Sequence, residues 1–166
     1  MIILRVVFTV STAATIVFIF ADSAKIGEIS GGKSALVTAW VNEILAKQGT
    51  GIRFTEHIIR KLAHFAEYAL LGFWLMLTLR VFTKRIISHI SWQLFGGLPV
   101  SVMDESLQIF IPGRAGMLRD VVIDFAGVVA GLACALLLLL LLRMFNVLHK
   151  VITVLLRWEC LFVLRV

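Results

Sequence analysis

Four apolar stretches of the chain are each long enough to cross a membrane, and polar segments separate them. About 20 apolar residues in a helix cross the hydrocarbon core of a bilayer. We therefore predict spans at about 3–21, 61–82, 86–103 and 120–142. The predicted fold class is all-α, a polytopic membrane helix bundle with four transmembrane helices.

The last part of the chain, residues 144–166, permits two interpretations. Its length would allow a fifth span, but charges interrupt the apolar run. These charges are Lys150, Arg157, Glu159 and Arg165. We favour a basic amphipathic tail on the inner surface over a fifth span. The membrane domain is accordingly predicted to cover residues 1–143.

The one extended polar part of the chain lies between the first two spans, at residues 22–59. Within residues 34–47, apolar residues recur three and four positions apart, which is typical of an amphipathic helix. We predict an interfacial helix in this first outer loop. Either it covers a charged site as a lid or it is a plain connection, and we favour the connection.

Basic residues at the span ends bear on the orientation. The predicted topology gives both sides equal numbers of Lys and Arg, so the count alone does not decide. Three basic residues crowd into positions 80–85, whereas those of residues 22–59 are dispersed. Long loops translocate with less regard to charge. We therefore predict that the N-terminus lies inside and that residues 22–59 and 104–119 lie outside.

Composition and charge mainly exclude certain partners and certain kinds of site. The chain is 60% hydrophobic and carries a formal net charge of +6. Its basic residues lie at span ends and form no stripe with interleaved aromatic residues, so no nucleic-acid partner is predicted. Cys134 and Cys160 lack the spacing of a disulfide framework or a zinc site.

Polar residues concentrate in an island at residues 104–124, between the third and fourth spans. A charge at the centre of a bilayer costs roughly 3 kcal/mol or more, so it is kept where it is paired, solvated or used. Asp104 and Glu105 have Gln108 one helical turn away, and Arg114 follows a Pro-Gly turn. The two carboxylates suit cation binding, acid–base chemistry or pairing with Arg114 and Arg119.

A second polar group opens the second span with Arg60, Lys61, His64, Glu67 and Tyr68. Residues three and four apart share a helix face, so these side chains point in one direction. We predict that His64 and Glu67 face the bundle interior and that the two cations lie at headgroup depth.

The fourth span begins with Asp120 and Asp124, and Gly127 and Gly131 follow on the same face. The GxxxG pair allows close helix approach, so we interpret both glycines as packing residues. They would bring Asp124 towards a neighbouring helix, with His64 or Arg114 as its expected partner. Asp120 suits a helix N-terminus.

Together these segments resemble the VanZ-like family of small bacterial membrane proteins. The matching segments are KLAHFAEYALLG (61–72), DESLQIFIPGR (104–114) and DVVIDFAGVVAG (120–131). At position 124 this chain has Asp where many members have Asn. The resemblance covers roughly residues 10–143. It implies a multi-pass protein of the bacterial cytoplasmic membrane and a link to resistance to the glycopeptide teicoplanin, but it implies no catalytic role for any residue.

We favour a function in binding, in which a polar pocket at the outer interface holds an anionic lipid or a lipid-linked envelope precursor. The predicted ligand-binding residues are Arg60, Lys61, His64, Glu67, Tyr68, Asp104, Glu105, Gln108, Arg114, Asp120 and Asp124. No cofactor or metal is predicted, and a divalent cation at the acidic cluster stays open as an alternative.

Two other functions remain open. One is a membrane-embedded hydrolase or transferase acting on a lipid-linked precursor, with His64 as general base and Glu67 or Asp104 as the orienting group. The sequence lacks the nucleophile motif GxSxG and the metal motif HExxH, which weighs against it. The other is a lipid flippase or proton-coupled transporter, which would need a homodimer because four spans are few.

Overall fold

The computed structural model describes residues 2–25, 27–114 and 116–163, and for 27–30, 87 and 146–163 it describes the backbone alone. The described residues form five helices and contain no strand, which confirms the all-α prediction. The helices are α1 (Ile2–Ser23), α2 (Gly27–Lys47), α3 (Glu56–Phe82), α4 (Ile86–Gln108) and α5 (Leu118–Val163).

Three of these helices are long and apolar enough to cross a membrane: α1, α3 and the Leu118–Phe145 part of α5. They correspond to the first, second and fourth predicted spans. The third predicted span lies in α4, whose 23 residues would extend about 35 Å at ~1.5 Å per residue. Its length suffices, but α4 is not among the three candidate spans. The count of four spans stays a prediction.

Helix α3 is central, since it contacts each of the other four helices. The end of α1, the start of α3, the end of α4 and the start of α5 meet at one end of the bundle, which we call the site end. At the opposite end, Arg5 donates a hydrogen bond to the Val81 carbonyl at 3.2 Å and lies over the Phe82 ring. Arg5 therefore shares an end with the basic cluster at 80–85. The side of the membrane that each end faces stays a prediction.

Glycines bring the backbones of α3 and α5 into direct contact. A Cβ on Gly131 would overlap the Ala69 carbonyl oxygen, and a Cβ on Gly72 would overlap that of Val128. Gly127 approaches α3 as well, where an added Cβ would lie 2.6 Å from the Phe65 oxygen. The structure thus places the predicted GxxxG pair against α3, and Gly72 supplies the reciprocal approach.

Two predicted segments differ from what the structure shows. Helix α2 begins at Gly27, seven residues earlier than predicted, and its location at the membrane interface stays a prediction. Helix α5 continues without a break from Leu118 through Val163, past the predicted boundary at residue 143. The choice between a surface tail and a fifth span for 144–166 stays a prediction. The predicted amphipathic character of 144–166 depends on side chains beyond residue 145, which lie outside the described part of the chain.

Candidate functional site

Two adjacent carboxylates from α4 form the base of the site. Helix α4 continues past Met103 to Gln108, which places the Gln108 amide beside both. Its Nε2 donates to Asp104 Oδ2 at 3.1 Å and to Glu105 Oε1 at 3.2 Å. Ser23 Oγ also donates to Asp104 Oδ2 at 2.9 Å, and the Met117 backbone N–H donates to Glu105 Oε2 at 2.9 Å. Both carboxylates are therefore held in fixed orientations.

Asp124 completes a group that we call the carboxylate triad: Asp104, Glu105 and Asp124. One oxygen from each lies within 4.8 Å of those from the other two, and all three residues are buried. The sequence predicted His64 or Arg114 as the partner of Asp124. The structure instead surrounds Asp124 with carboxylates and leaves its Oδ2 without a hydrogen-bond partner.

Two further oxygens also lack partners, one beside the triad and one within it. Tyr68 is fully buried, and its hydroxyl lies next to Asp104 without a hydrogen bond of good geometry. Asp104 Oδ1 is buried and unpartnered in the same way. Burial raises the pKa of Asp104 and of Glu105, both of which lie outside the three candidate spans. An unsatisfied buried polar group costs about 1–3 kcal/mol, so three such oxygens together need an explanation.

The cations of the site lie towards the start of α3. Lys61 forms an ion pair with Asp120 that joins α3 to α5. Arg60 pairs with Glu56 through Nη2 at 3.2 Å, while its Nε is buried and has no partner.

His64 also lies on this face of α3. Its Nδ1 is 3.8 Å from Glu67 Oε2, beyond hydrogen-bond distance, and both atoms are buried without partners. The predicted polar cluster on this helix face therefore exists, but its imidazole and carboxylate do not form a hydrogen-bonded pair.

Arg114 does not pair with the carboxylates of α4, which was one of the roles open for it. Its Nε donates to the Lys25 carbonyl at 3.0 Å, and its Nη2 donates to the Asp22 carbonyl at 3.1 Å. The last carbonyl groups of a helix have no partner within the helix, so a nearby guanidinium is a favourable donor for them. Arg114 thus ties the loop after α4 to the end of α1.

Two cavities open at the site end. The first, of about 200 Å³, is lined by His57, Arg60, Lys61, His64, Glu105, Gln108, Gly113, Arg114, Met117, Asp120, Ile123 and Asp124. The second, of about 150 Å³, is lined by Asp22, Lys33, Ser34, Val37, Ile59, Arg60, Ala63, His64 and Glu67. Arg60 and His64 line both. Of the eleven predicted site residues, eight line the first cavity and Glu67 lines only the second. Asp104 and Tyr68 line neither cavity.

Sequence reasoning missed the end of α1. Asp22 lines the second cavity, Ser23 is fully buried against Asp104, and Lys25 forms an ion pair with Asp22. The available signal was their position, because Asp22 and Ser23 directly follow the first apolar stretch, on the side predicted to hold residues 104–119 as well.

Comparison with known proteins identifies a family. The sequence model of a family described as VanZ/LLP1 matches residues 6–143, which is most of the chain and includes every residue of both cavities. No curated protein and no solved structure matches the chain. The three matching segments, together with this comparison, lead to one conclusion: the chain belongs to the VanZ/LLP1 family.

Proposed function

We propose that the protein binds a phosphate-bearing lipid headgroup in the first cavity, at the outer face of the bacterial cytoplasmic membrane. The headgroup would belong to an anionic membrane lipid or to a lipid-linked envelope precursor, which share this phosphate chemistry. The supporting observation is Arg60, a cation in the wall of both cavities whose Nε is buried without a partner.

Arg60 suits this role because its neighbours leave part of it available. Glu56 accepts from one of its three nitrogens, and the unpartnered Nε lies on the same planar group. A guanidinium binds phosphate oxygens through parallel N–H groups, and such charge-assisted bonds are roughly twice as strong as neutral ones. A phosphate would therefore supply the acceptor that Arg60 Nε lacks.

The size of the first cavity limits what it can hold. Pockets for drug-sized ligands usually measure ~300–1,000 Å³, and this one measures about 200 Å³. A phosphate headgroup is of suitable size, whereas the acyl chains or the sugars of a precursor would have to lie outside. Exposed apolar side chains on α4 and α5, such as Trp92, Phe95 and Val122, offer a surface for the chains.

The test is the thermal stability of the purified full chain in detergent with added lipids. Phosphatidylglycerol and an undecaprenyl-linked phosphate represent the two sources, and phosphatidylcholine serves as the zwitterionic comparison. We expect the anionic lipids to raise the melting temperature and Arg60→Gln to remove most of that rise.

The matched control is Arg80→Gln, which changes an exposed arginine at the other end of the same helix. It should keep the full response. An equal response to all three lipids, or an equal loss in both variants, would refute the proposal. A response to only one of the anionic lipids would identify the source.

One observation favours a second candidate, the membrane-embedded hydrolase or transferase. His64 lines both cavities with its Nδ1 buried and unpartnered, so a substrate could reach it. The 3.8 Å to Glu67 exceeds the ~2.6–3.2 Å of a working acid–base pair, so substrate binding would have to bring the two groups together. A change in lipid composition on expression that His64→Ala abolishes, at equal protein level, would favour this candidate.

Family membership extends the binding proposal to antibiotic response. A protein that holds a lipid-linked precursor would alter the exposure of that precursor to teicoplanin. We expect expression of the wild-type chain to change teicoplanin susceptibility and Arg60→Gln to reverse the change, with Arg80→Gln behaving as the wild type.

A further inference from the structure

We infer that the carboxylate triad and the Tyr68 hydroxyl form a binding site for a hard divalent cation such as Ca²⁺. The inference is separate from headgroup binding, because cation binding can be measured without any lipid.

The spacing of the triad fits such an ion. Its three oxygens all lie within 4.8 Å of one another. Ca²⁺ binds oxygen ligands at about 2.3–2.6 Å, so two ligands of one ion lie at most ~5 Å apart, and the triad meets that limit. Mg²⁺ gives up its waters reluctantly and is seldom held by protein oxygens alone, so a buried site of this kind favours Ca²⁺. All the donors are oxygens, which suits hard cations over zinc or copper.

The charges of the triad are not balanced by protein cations. Among the described ion pairs, none involves Asp104, Glu105 or Asp124. The nearby cations have other partners, since Lys61 pairs with Asp120 and Arg114 binds backbone carbonyls. Buried carboxylates are normally paired, metal-bound or protonated. The triad therefore requires either bound protons or a bound cation.

The unpartnered oxygens are the atoms that a bound cation would take as ligands. The Tyr68 hydroxyl is an independent observation, because it is not part of the carboxylate cluster, is fully buried and lies next to Asp104 without a hydrogen bond of good geometry. Asp104 Oδ1 and Asp124 Oδ2 are also buried without partners. Protons shared among the carboxylates would place O–H donors on these oxygens and satisfy them pairwise. A metal ion accepts all of them as ligands at once.

Other residues already orient the ligands, as is usual around metal sites. Gln108 Nε2 holds one oxygen each of Asp104 and Glu105, and Ser23 holds the same oxygen of Asp104. These contacts leave the other Asp104 oxygen free to bind an ion. Such second-layer hydrogen bonds fix ligand geometry, and their loss typically weakens metal affinity ~10–100-fold.

The experiment is a Ca²⁺ titration of the full chain, purified in detergent and stripped with a chelator, by isothermal titration calorimetry and by thermal stability. We expect one Ca²⁺ per chain, a dissociation constant on the order of 10⁻⁴–10⁻³ M as in extracellular calcium modules, and a higher melting temperature in Ca²⁺. Mg²⁺ at equal concentration should have the smaller effect. Asp104→Asn and Asp124→Asn, which keep the side-chain shape, should each weaken binding at least tenfold.

Glu43→Gln is the matched control, since it removes one carboxylate charge from an exposed position on α2. It should bind Ca²⁺ like the wild type. If Asp104→Asn yields no folded protein, Glu105→Gln and Tyr68→Phe test the same site with smaller changes.

Three results would overturn the inference: no saturable binding by the wild type, unchanged binding in the triad variants, or equal weakening by Glu43→Gln. A wild type that ignores Ca²⁺ while Asp124→Asn is more stable in chelator would show that the triad is held by protons.

Discussion

The α3–α5 interface has two halves of opposite character. In the half away from the site, Gly131 and Gly72 let the helix backbones touch, and apolar residues such as Val128 and Leu132 are buried around them. In the half at the site end, the same two helices present ionisable and polar side chains, with an ion pair between Lys61 and Asp120 at the margin.

The difference shows what close packing excludes. Where backbones touch, there is no space for a polar side chain or a ligand, and burial is achieved with aliphatic groups. Towards the site end of the same two helices, buried oxygens of Tyr68 and Asp124 lack hydrogen-bond partners. The tightly packed half fixes the position of α5 against α3. The polar half leaves oxygen atoms without protein partners, and these atoms are available to a ligand.

The largest expected effect is on the tight half. Gly131→Ala places a Cβ against the Ala69 carbonyl, which belongs to the backbone and can move only if α3 moves. Overpacking of this kind costs about 3 kcal/mol. We expect a clear fall in melting temperature, together with a weaker lipid response, because Asp124 would shift with the helix.

The control for this change is Gly96→Ala in α4, where an added Cβ meets nothing within 4 Å. Alanine is favoured over glycine in a helix by up to about 1 kcal/mol, so this variant should be equal or more stable. Equal destabilisation by both variants would contradict the proposed role of the α3–α5 contact.

The next effect concerns the link between the loop and α1. Arg114→Gln removes the two hydrogen bonds to the Lys25 and Asp22 carbonyls. Hydrogen bonds from a charged group contribute about 1.5–3 kcal/mol, and this one is partly exposed, so we expect a loss of about 2 kcal/mol. Limited proteolysis should show faster cleavage within 109–117. Arg53→Gln changes an exposed arginine in the loop before α3 and should leave the cleavage rate unchanged.

The smallest expected effects are two changes in stability of opposite sign, one at the site and one away from it. In metal-free protein, Tyr68→Phe removes a buried hydroxyl without a partner, so it should be neutral or stabilise by about 1 kcal/mol. Thr12→Val removes a hydroxyl that lies 3.0 Å from Thr78 Oγ1 and should destabilise by about 1 kcal/mol. Equilibrium unfolding of both variants gives the comparison, and a loss of stability in Tyr68→Phe would contradict it.

The sequence predicted the parts of the site that depend on helix period. Spacings of three and four placed Arg60, Lys61 and His64 on one face, and the GxxxG pattern indicated the approach of α5. These inferences need only the geometry of one helix. The continuation of α4 past Met103 to Gln108 was a condition of the predicted polar patch, and the structure supplies it.

Contacts between distant segments could not be read in this way. Ser23 and Asp104 are separated by 81 positions, and no local pattern connects them. The acceptors of Arg114 are backbone carbonyls, which every residue has, so residue types carry no information about them. Asp124 was expected beside a cation because opposite charges attract, whereas the packing of α5 on α3 sets it among carboxylates.

The contacts of Ser23, Asp22 and Lys25 make the first helix part of a site that begins more than thirty residues later in the chain. Removing that helix would deprive Asp104 of a donor and Arg114 of both its acceptors. An N-terminal deletion, or a fusion that displaces α1, should therefore be judged as a mutation of the site itself and never as a neutral change at the chain end. Affinity tags for biochemical work are safer elsewhere.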